Sequence, residues 1–380
     1  MTTTINNEHK KLNVPNLRFP GFEGEWEEST IGEQFDLYSG NTPSRLNKEH
    51  FNGSIKWISS GELKEHYIAE TQEKISEEAA KKLRLLPIGT FVIAIYGLEA
   101  DGVRGTGSIT KSESTISQAC MAFIPKGNVE NEFLYSWYKK HGNVIGIRYA
   151  QGTKQQNLSY DIVEKFKISY PSLQEQEKLQ RFVSLLDERI STQNKVIDKL
   201  QSLIKGIAHK VSKQGKPNIR LSECLQCSSS TLQESDVKEV GAYPVYGANG
   251  VVGYLDTYIT TDEAIYIIKD GSGVGSVSYV KGKCSATGTL NILQAKDGFS
   301  LGYLYFMLQV FSFEPYKTGM AIPHIYFKDY GKAKIYCPTY EFQCKYADML
   351  SAIEQKIIAE QQILTNLYKQ KQYLLRQMFI

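Results

Sequence analysis

The chain has 380 residues, 41% apolar and 22% charged, with a net charge of +3. That length and ordinary composition suit two or three globular domains, each with its own core, and exclude a fibrous or low-complexity chain. The longest apolar runs, such as "TFVIAIYG" at 90–97, are strand-sized, so no membrane span is expected, and six scattered cysteines suit a reducing cytoplasm.

Residues 1–17, opening "MTTTINNEHKK", lack an apolar signal core and read as a flexible lead. Residues 18–171 read as a first globular module with 18 basic and 20 acidic side chains. It holds a predicted helix over Ser76–Leu86, with Ser76 as N-cap, and a predicted strand over Phe91–Tyr96. Residues 172–214 read as a first long helix. A second module spans 218–338, with 10 basic and 11 acidic side chains and predicted strands over Ala264–Ile268 and Leu290–Leu293. Residues 339–380 read as a second long helix. The basic excess lies on residues 172–217, with 9 basic and 5 acidic, so charge alone marks neither module as a nucleic-acid binder.

The second half repeats the first. "GTKQQNLSYDIVEKFKISYPSL" (152–173) is matched at an offset of 167 by "GMAIPHIYFKDYGKAKIYCPTY" (319–340), from Gly152 and Gly319 to Pro171 and Pro338. Upstream, "GTGSIT" (105–110) aligns with "GVGSVS" (273–278) at an offset of 168, and "FLYSWYKK" (133–140) with "YLYFMLQV" (303–310) at 170. After each proline, apolar residues recur in two heptad rows. The first helix offers Val183, Ile190, Ile197 and Ile204 with Leu186 and Leu200. The second offers Leu350, Ile357 and Leu364 with Ile353, Leu367 and Leu374. Two rows over about five heptads predict a coiled-coil pair; a surface helix packed on its own domain is the alternative. One row breaks at matched places, Gln193 and Glu360. In an antiparallel pair Gln193 would donate to Glu360, a buried polar layer that sets register, unless the two are chance substitutions.

No catalytic signature stands out. A phosphate-binding G-x-x-x-x-G-K-[ST] loop is lacking, as are the Asn-Pro-Pro-Phe and Asp-Pro-Pro-Tyr motifs of amino-methyltransferases. "GSGVGS" (271–276) leads into a strand-like run instead of a helix, which argues against a nucleotide site. Cys224 and Cys227 form a lone C-x-x-C, with no second pair at metal spacing. The E-x-K of "GELK" (61–64) has no recognisable aspartate partner. Polar loops offer more. Gln151, Lys154, Gln155, Gln156 and Asn157 gather donors in one glycine-started loop, and Asn or Gln can pair bidentately with adenine, Arg or Lys with guanine. Arg45, Lys56, Ser59, Ser60, Arg104 and Arg148 add donors in the first module. Asn249, Lys269, Ser272, Lys317 and His324 hold comparable places in the second.

Taken together, "PNLRFPGFEGEWEESTIGE" (15–33), "WISSGEL" (57–63), "NLSYDIVEKFKISYPSLQEQEKL" (157–179), "YPVYGANGVVGY" (243–254) and "ILTNLYKQKQYLLRQMF" (363–379) resemble the specificity subunits of type I restriction-modification systems. "EFQCK" (341–345) departs from the family's Gln-Gln-Glu-like helix entry. The resemblance implies an α+β fold with two mixed α/β target recognition domains, separated by two long helices that form an antiparallel coiled coil in a pseudo-two-fold repeat. Each domain would read one half of a split, asymmetric double-stranded DNA target, and the helices would set the spacing and dock two methyltransferase subunits. These use S-adenosylmethionine to methylate adenine at N6. Two restriction subunits would add ATP- and Mg-dependent cleavage. The chain itself would bind no cofactor and catalyse nothing. The competing readings are a coiled-coil adaptor with two protein-binding modules and a stand-alone enzyme using the glycine loop.

Overall fold

The computed structural model describes residues 12–100, 102–152, 156–319 and 322–380. The chain divides into two compact units, Met1–Thr192 with Leu364–Ile380, and Gln193–Ile363. Each unit therefore contains one globular head together with a stretch of both long helices, whereas the sequence suggested separate head and helix segments.

The first head carries a five-stranded sheet in the order Phe35–Ser39, Cys120–Pro125, Phe91–Ala94, Gly107–Thr110, Tyr67–Ile68. Neighbours are antiparallel except the last pair, which is parallel. A three-stranded sheet sets Ile55–Ile58 between Glu73–Ile75 and Ser114–Ile116. Glu27–Thr30 pairs with Lys167–Tyr170 in a ribbon that brings the two ends of the head together. The helix Asn131–Tyr149 lays Phe133, Leu134 and Tyr138 on Phe91, Ile93 and Phe123. Burying each such side chain contributes about 1.5–3 kcal/mol. Val183, Leu375, Met378 and Phe379 of the long helices join the same cluster, and Leu374 packs against it half-buried.

The second head repeats the plan. Its four-stranded antiparallel sheet runs Leu225–Ser229, Leu290–Ala295, Glu263–Ile268, Val277–Lys281. Tyr243–Gly247 lies between Gly250–Leu255 and Ser285–Ala286, and Ile219–Arg220 pairs with Lys334–Ile335. Helix Leu301–Gln309 covers the sheet with Tyr303, Leu304 and Phe306 fully buried. A fifth sheet strand is absent among its described residues.

The long helices span Leu173–Ser212 and Tyr340–Met378. One buried glutamine starts each. Gln176 donates to Pro171 O and Asn128 O, both at 2.9 Å, and accepts from Glu130 N at 3.0 Å. Gln343 donates to Pro338 O at 2.9 Å and accepts from Ser300 N at 3.0 Å. The "EFQCK" departure thus keeps the one side chain that ties the helix entrance to its head. Within each unit the two helices run antiparallel. In the first, Asp187 meets Lys371 while Val183 lies near Met378. In the second, Tyr346 donates to Gln214 at 2.8 Å, and Gln193 donates to Glu360 O at 3.1 Å and to its carboxylate.

Ile190, Ile197, Ile204, Leu350, Ile357 and Leu367 are buried, and Leu186, Leu200, Ile353 and Leu364 are half-buried. Along the C-terminal row the deeper residue is Leu375, next to the expected Leu374. No helix among the described residues is long and apolar enough to cross a membrane.

Three expectations need correction. The helix expected over Ser76–Leu86 shrinks to Glu77–Ala80, because Leu86 instead bridges to Ser114; Ser76 Oγ does cap it, accepting from Ala79 N at 3.3 Å. Asn13 and Leu17, expected in a flexible lead, are held in place. Asn13 donates to Trp26 O at 2.7 Å and Leu17 N to Gln377 O at 3.0 Å, which pins that stretch to the first unit. "GTGSIT" and "GVGSVS" are out of step with the fold by two positions, and the structural offset there is 170 instead of 168. Ala94 N donates to Thr106 O as Ile268 N donates to Ser276 O, and Gly105 and Gly275 both have positive φ, 70° and 90°.

Candidate nucleic-acid interface

The glycine that starts each copy of the repeat has a backbone reason. Gly152 has φ 110° and Gly319 φ 89°, the left-handed region that only glycine enters at little cost. At Gly319 a Cβ would also stand 2.3 Å from Ile322 O. Each glycine turns a loop back on itself. Gln151 and Asn157 exchange backbone hydrogen bonds at 2.8 and 2.9 Å, as Thr318 and His324 do at 2.9 and 2.7 Å. The returning residue of each loop then bridges to the end of a sheet strand, Asn157 to Tyr96 and His324 to Asp270. Asn157 and His324 hold the same place in the repeat, so one architectural position carries an amide in one head and an imidazole in the other.

In the first head this position gathers three of the expected donors. Gln156 N donates to Glu99 Oε2 at 2.8 Å, and Arg104 Nη2 donates to Gln156 Oε1 at 3.0 Å. The Arg104 stem lies over Gly146, where an added Cβ would meet its Cγ at 2.6 Å. The Gln156 amide holds the Glu99 carboxyl below the usual carboxylate range. Gln151 is exposed beside this group, and Arg148 is exposed in the last turn of the helix before it. Lys154 and Gln155 lie outside the described residues.

The second head assembles a different set. His324 Nδ1 lies 2.6 Å from Asp270 Oδ1, with both side chains about one-third exposed. Ile325 N donates to Lys269 O at 2.9 Å, and Gly271 N to Pro323 O at 3.0 Å. Lys269 and Ser272 therefore flank the pair. Lys317 stands nearby along the chain, its Nζ 2.5 Å from Glu314.

Other expected residues sit elsewhere. Arg45 forms a two-pronged pair with Glu73 at 2.8 Å and lies 4.6 Å over the Phe51 ring, in the small cluster around Trp57. That hydrogen bond raises its already high pKa. Lys56 pairs with Glu70 at 3.2 Å. Ser59 is occupied locally: its N–H and Oγ both donate to Glu62, at 2.6 and 3.0 Å, and Ser60 opens the short turn Ser60–Glu62. Asn249 is exposed at the tip of the hairpin between Tyr243–Gly247 and Gly250–Leu255. Glu99 and Asp270 escaped the sequence reading, which looked for donors. The glycine that follows a strand by three residues, Gly97 and Gly271, was the available signal.

The description "Type I restriction modification DNA specificity domain" fits residues 23–202 and again 218–369. The type I restriction enzyme EcoR124I/EcoR124II specificity subunit of Escherichia coli is 31% identical over 207 residues, 53% of this chain and 50% of that protein. The MjaIX specificity subunit of Methanocaldococcus jannaschii is 29% identical over 185 residues, 46% and 42% of the two chains. The match thus spans about half the length of these relatives or less. The EcoprrI specificity subunit of Escherichia coli is 22% identical over 365 residues, 88% of each chain. Among solved structures, the type I restriction-modification S subunit from M. genitalium superposes with a TM-score of 0.64 at 18% identity, covering 97% of this chain and 99% of that one. A chain from a study of assembly and conformational transition of the type I R-M system gives 0.55 at 16% identity, covering 92% and 96%. These likenesses establish the fold, and the two family matches, one per head, establish that the chain belongs to the type I restriction-modification DNA specificity family.

Proposed function

We propose that each head reads one half of a bipartite, asymmetric DNA target, and that the paired helices set the spacing between the halves. The observation that carries this reading is the loop built the same way twice and furnished differently. Its position is held by glycine and backbone bridges, while its side chains change from Arg104, Gln156 and Asn157 to Lys269, Asp270 and His324. Arginine and amide side chains match guanine and adenine edges in the major groove, and carboxylates accept from cytosine N4. A fixed frame with exchangeable polar tips suits sequence readout better than uniform phosphate binding.

The chain supplies address and partner subunits supply chemistry. Two methyltransferase subunits dock on the long helices, where Val196 and Ile363, counterparts in the repeat, remain exposed. They carry S-adenosylmethionine for adenine N6 methylation, and two restriction subunits bring ATP- and Mg-dependent cleavage. Methylome sequencing of a host that expresses the chain with its cognate methyltransferase tests the proposal. The expected result is N6-methyladenine in one split motif. Exchanging residues 218–337 for another family member's second module should change one half of that motif and leave the other intact; a change in both halves would refute independent heads.

A further inference from the structure

The two heads differ at one sheet edge. In the first, Tyr67–Ile68 seals the outer side of Gly107–Thr110, running parallel to it. Ile109 N donates to His66 O at 2.8 Å and Lys111 N to Ile68 O at 3.0 Å. His66 is stacked between Tyr67 and Tyr135, with ring centroids 4.0 Å away on either side. Its Nε2 lies 2.8 Å from Glu132 and its Nδ1 3.2 Å from Asp187 on the first long helix.

The second head keeps the receiving half of this arrangement. The ladder offset of 170 puts Tyr279 where Ile109 stands and Lys281 where Lys111 stands. In an antiparallel ladder these positions alternate with the bonded ones, so both N–H groups face away from Glu263–Ile268. Val277–Lys281 is the outermost strand of its sheet. Tyr305 replaces Tyr135 at the same offset of 170, and Glu354 replaces Asp187 at the helix offset of 167. Tyr305 donates to Glu354 at 2.8 Å, and Glu354 forms no ion pair among the described residues. Lys371, which neutralises Asp187 in the first unit, has Ile204 as its counterpart. A segment equivalent to residues 65–68, which in the first head lie between Ile55–Ile58 and Glu73–Ile75, is lacking in the second, where Tyr243–Gly247 turns directly into Gly250–Leu255. In its place is a groove of about 840 Å³, lined among others by Val277, Tyr279, Lys281, Tyr305 and Glu354.

An unpaired strand edge recruits an extended chain through its main-chain groups, with neighbouring side chains setting specificity. We infer that this groove is the docking seat for an extended segment of a partner protein. The segment adds as a parallel strand to Val277–Lys281 and presents an imidazole or cationic side chain to Glu354 and the Tyr305 ring. The occupant is a polypeptide because the edge offers backbone donors in strand register. The side chain it sets against Glu354 is an imidazole or a cation because no ion pair among the described residues neutralises that carboxylate, although Lys205 and Lys281 also line the groove.

The first head supplies the probe, a labelled peptide of residues 63–70, LKEHYIAE, titrated with the full chain by fluorescence anisotropy. Saturable binding of one peptide per chain is expected, with a Kd of about 0.1–1 mM. Lys281→Pro removes one outward N–H at an exposed edge position where proline is tolerated, and should weaken binding about tenfold, the equivalent of one hydrogen bond. Glu354→Gln keeps the acceptor for Tyr305 and removes the charge. It should weaken the His-containing peptide several-fold and leave a His→Ala version of the peptide unaffected. Matching circular dichroism and melting curves verify that both variants fold. Absence of saturable binding, or binding indifferent to both substitutions, overturns the inference. Concentration-dependent dimerisation that Lys281→Pro abolishes would assign the seat to a second copy and overturn the partner-protein reading.

Discussion

The two heads descend from one plan, yet they have drifted by different amounts in different places. Along the long helices the offset is 167 throughout, from Gln176 and Gln343 to Gln193 and Glu360. In the sheets it is 170 at Gly105 and Gly275, and 174 at Gly97 and Gly271. Insertions are tolerated in strand connections because lengthening a surface loop costs little. In a paired helix a single inserted residue rotates the whole apolar face by about 100°. The constant offset therefore marks the part whose geometry is shared by both heads, and the variable offsets mark the connections whose length is free to change. The largest difference is at the sheet edge, closed by His66 and Tyr67 in one head and open in the other.

The sharpest way to break this comparison is to change the part that has not drifted. A heptad inserted at matched places in both helices preserves the apolar seam and lengthens the pair by about 10 Å at 1.5 Å per residue. At about 3.4 Å per base pair, the non-specific spacer should grow by about three pairs. The second half-site also rotates by about 100°, so methylation of the original target should be lost. Insertion of two or three residues should do worse, because it breaks the seam as well. Methylation of the original spacing by the heptad variant would show that the helices do not set the distance.

His66 provides the next test, since the second head has no counterpart. Burial opposes its charge, but hydrogen bonds and attraction from Asp187 and Glu132 prevail and raise its pKa. Tyr67 and Tyr135 sandwich the ring, and Lys139, Lys371, Glu65 and Lys111 complete the charges around it. Replacement by alanine opens a gap between the two tyrosine rings and leaves half-buried Glu132 without its imidazole and Asp187 with Lys371 alone, at a cost of about 2–4 kcal/mol to the first head. Hydrogen exchange at Ile109 and Lys111 should quicken by about 100-fold or more, while Tyr266 in the second head is unchanged. The wild-type contribution should be complete below about pH 6.5, the ordinary imidazole value, and fade as pH rises through the raised folded value. Burial and Lys371 hold Lys139 down to about 8, and its titration strengthens the fold as pH rises further. Protection in the first head alone that declines as pH rises above about 6.5 is the expected signature. Equal behaviour of the two heads would refute it.

A smaller effect separates reading from holding. Gln156→Ala removes both a candidate base contact and the acceptor for Arg104. Discrimination at one target position should fall by roughly 1–3 kcal/mol, measured as relative affinity for single-base variants of the site. Uniform weakening on all sequences would identify a phosphate contact instead. The corresponding His324→Ala change should relax a position in the other half-site.

What the sequence disclosed follows the same division. Heptads, the closing prolines and the polar positions 193 and 360 were legible because helical periodicity is local and repeated. The parallel pairing of Tyr67–Ile68 with Gly107–Thr110 was not legible, since it joins strands far apart in the chain through backbone bonds that leave no side-chain period. Nor were the supports Glu99 and Asp270, whose role depends on the loop that returns to them. Ser59 illustrates the opposite error: its place in "WISSGEL" suggested a donor for DNA, and local capping by Glu62 uses it.

The matched polar layer makes the mildest prediction and tests why it is there. Gln193 donates to Glu360, and Lys356 pairs with the same carboxylate at 2.6 Å, which together hold Glu360 below the usual carboxylate range. Gln193→Leu alone removes the donor and sets an apolar group against a carboxylate, so it should lower the melting temperature. Gln193→Leu with Glu360→Leu restores a continuous apolar seam and should melt at or above the wild-type temperature. Stability is then not what the layer supplies. A uniform Leu seam accepts a one-heptad slip that the Gln–Glu pair forbids. Crosslinking between cysteines placed at residues 197 and 357 in a chain cleared of native cysteines should yield one product in the wild type and a mixture in the double variant. A single product in both would show that hydrophobic packing alone fixes the register.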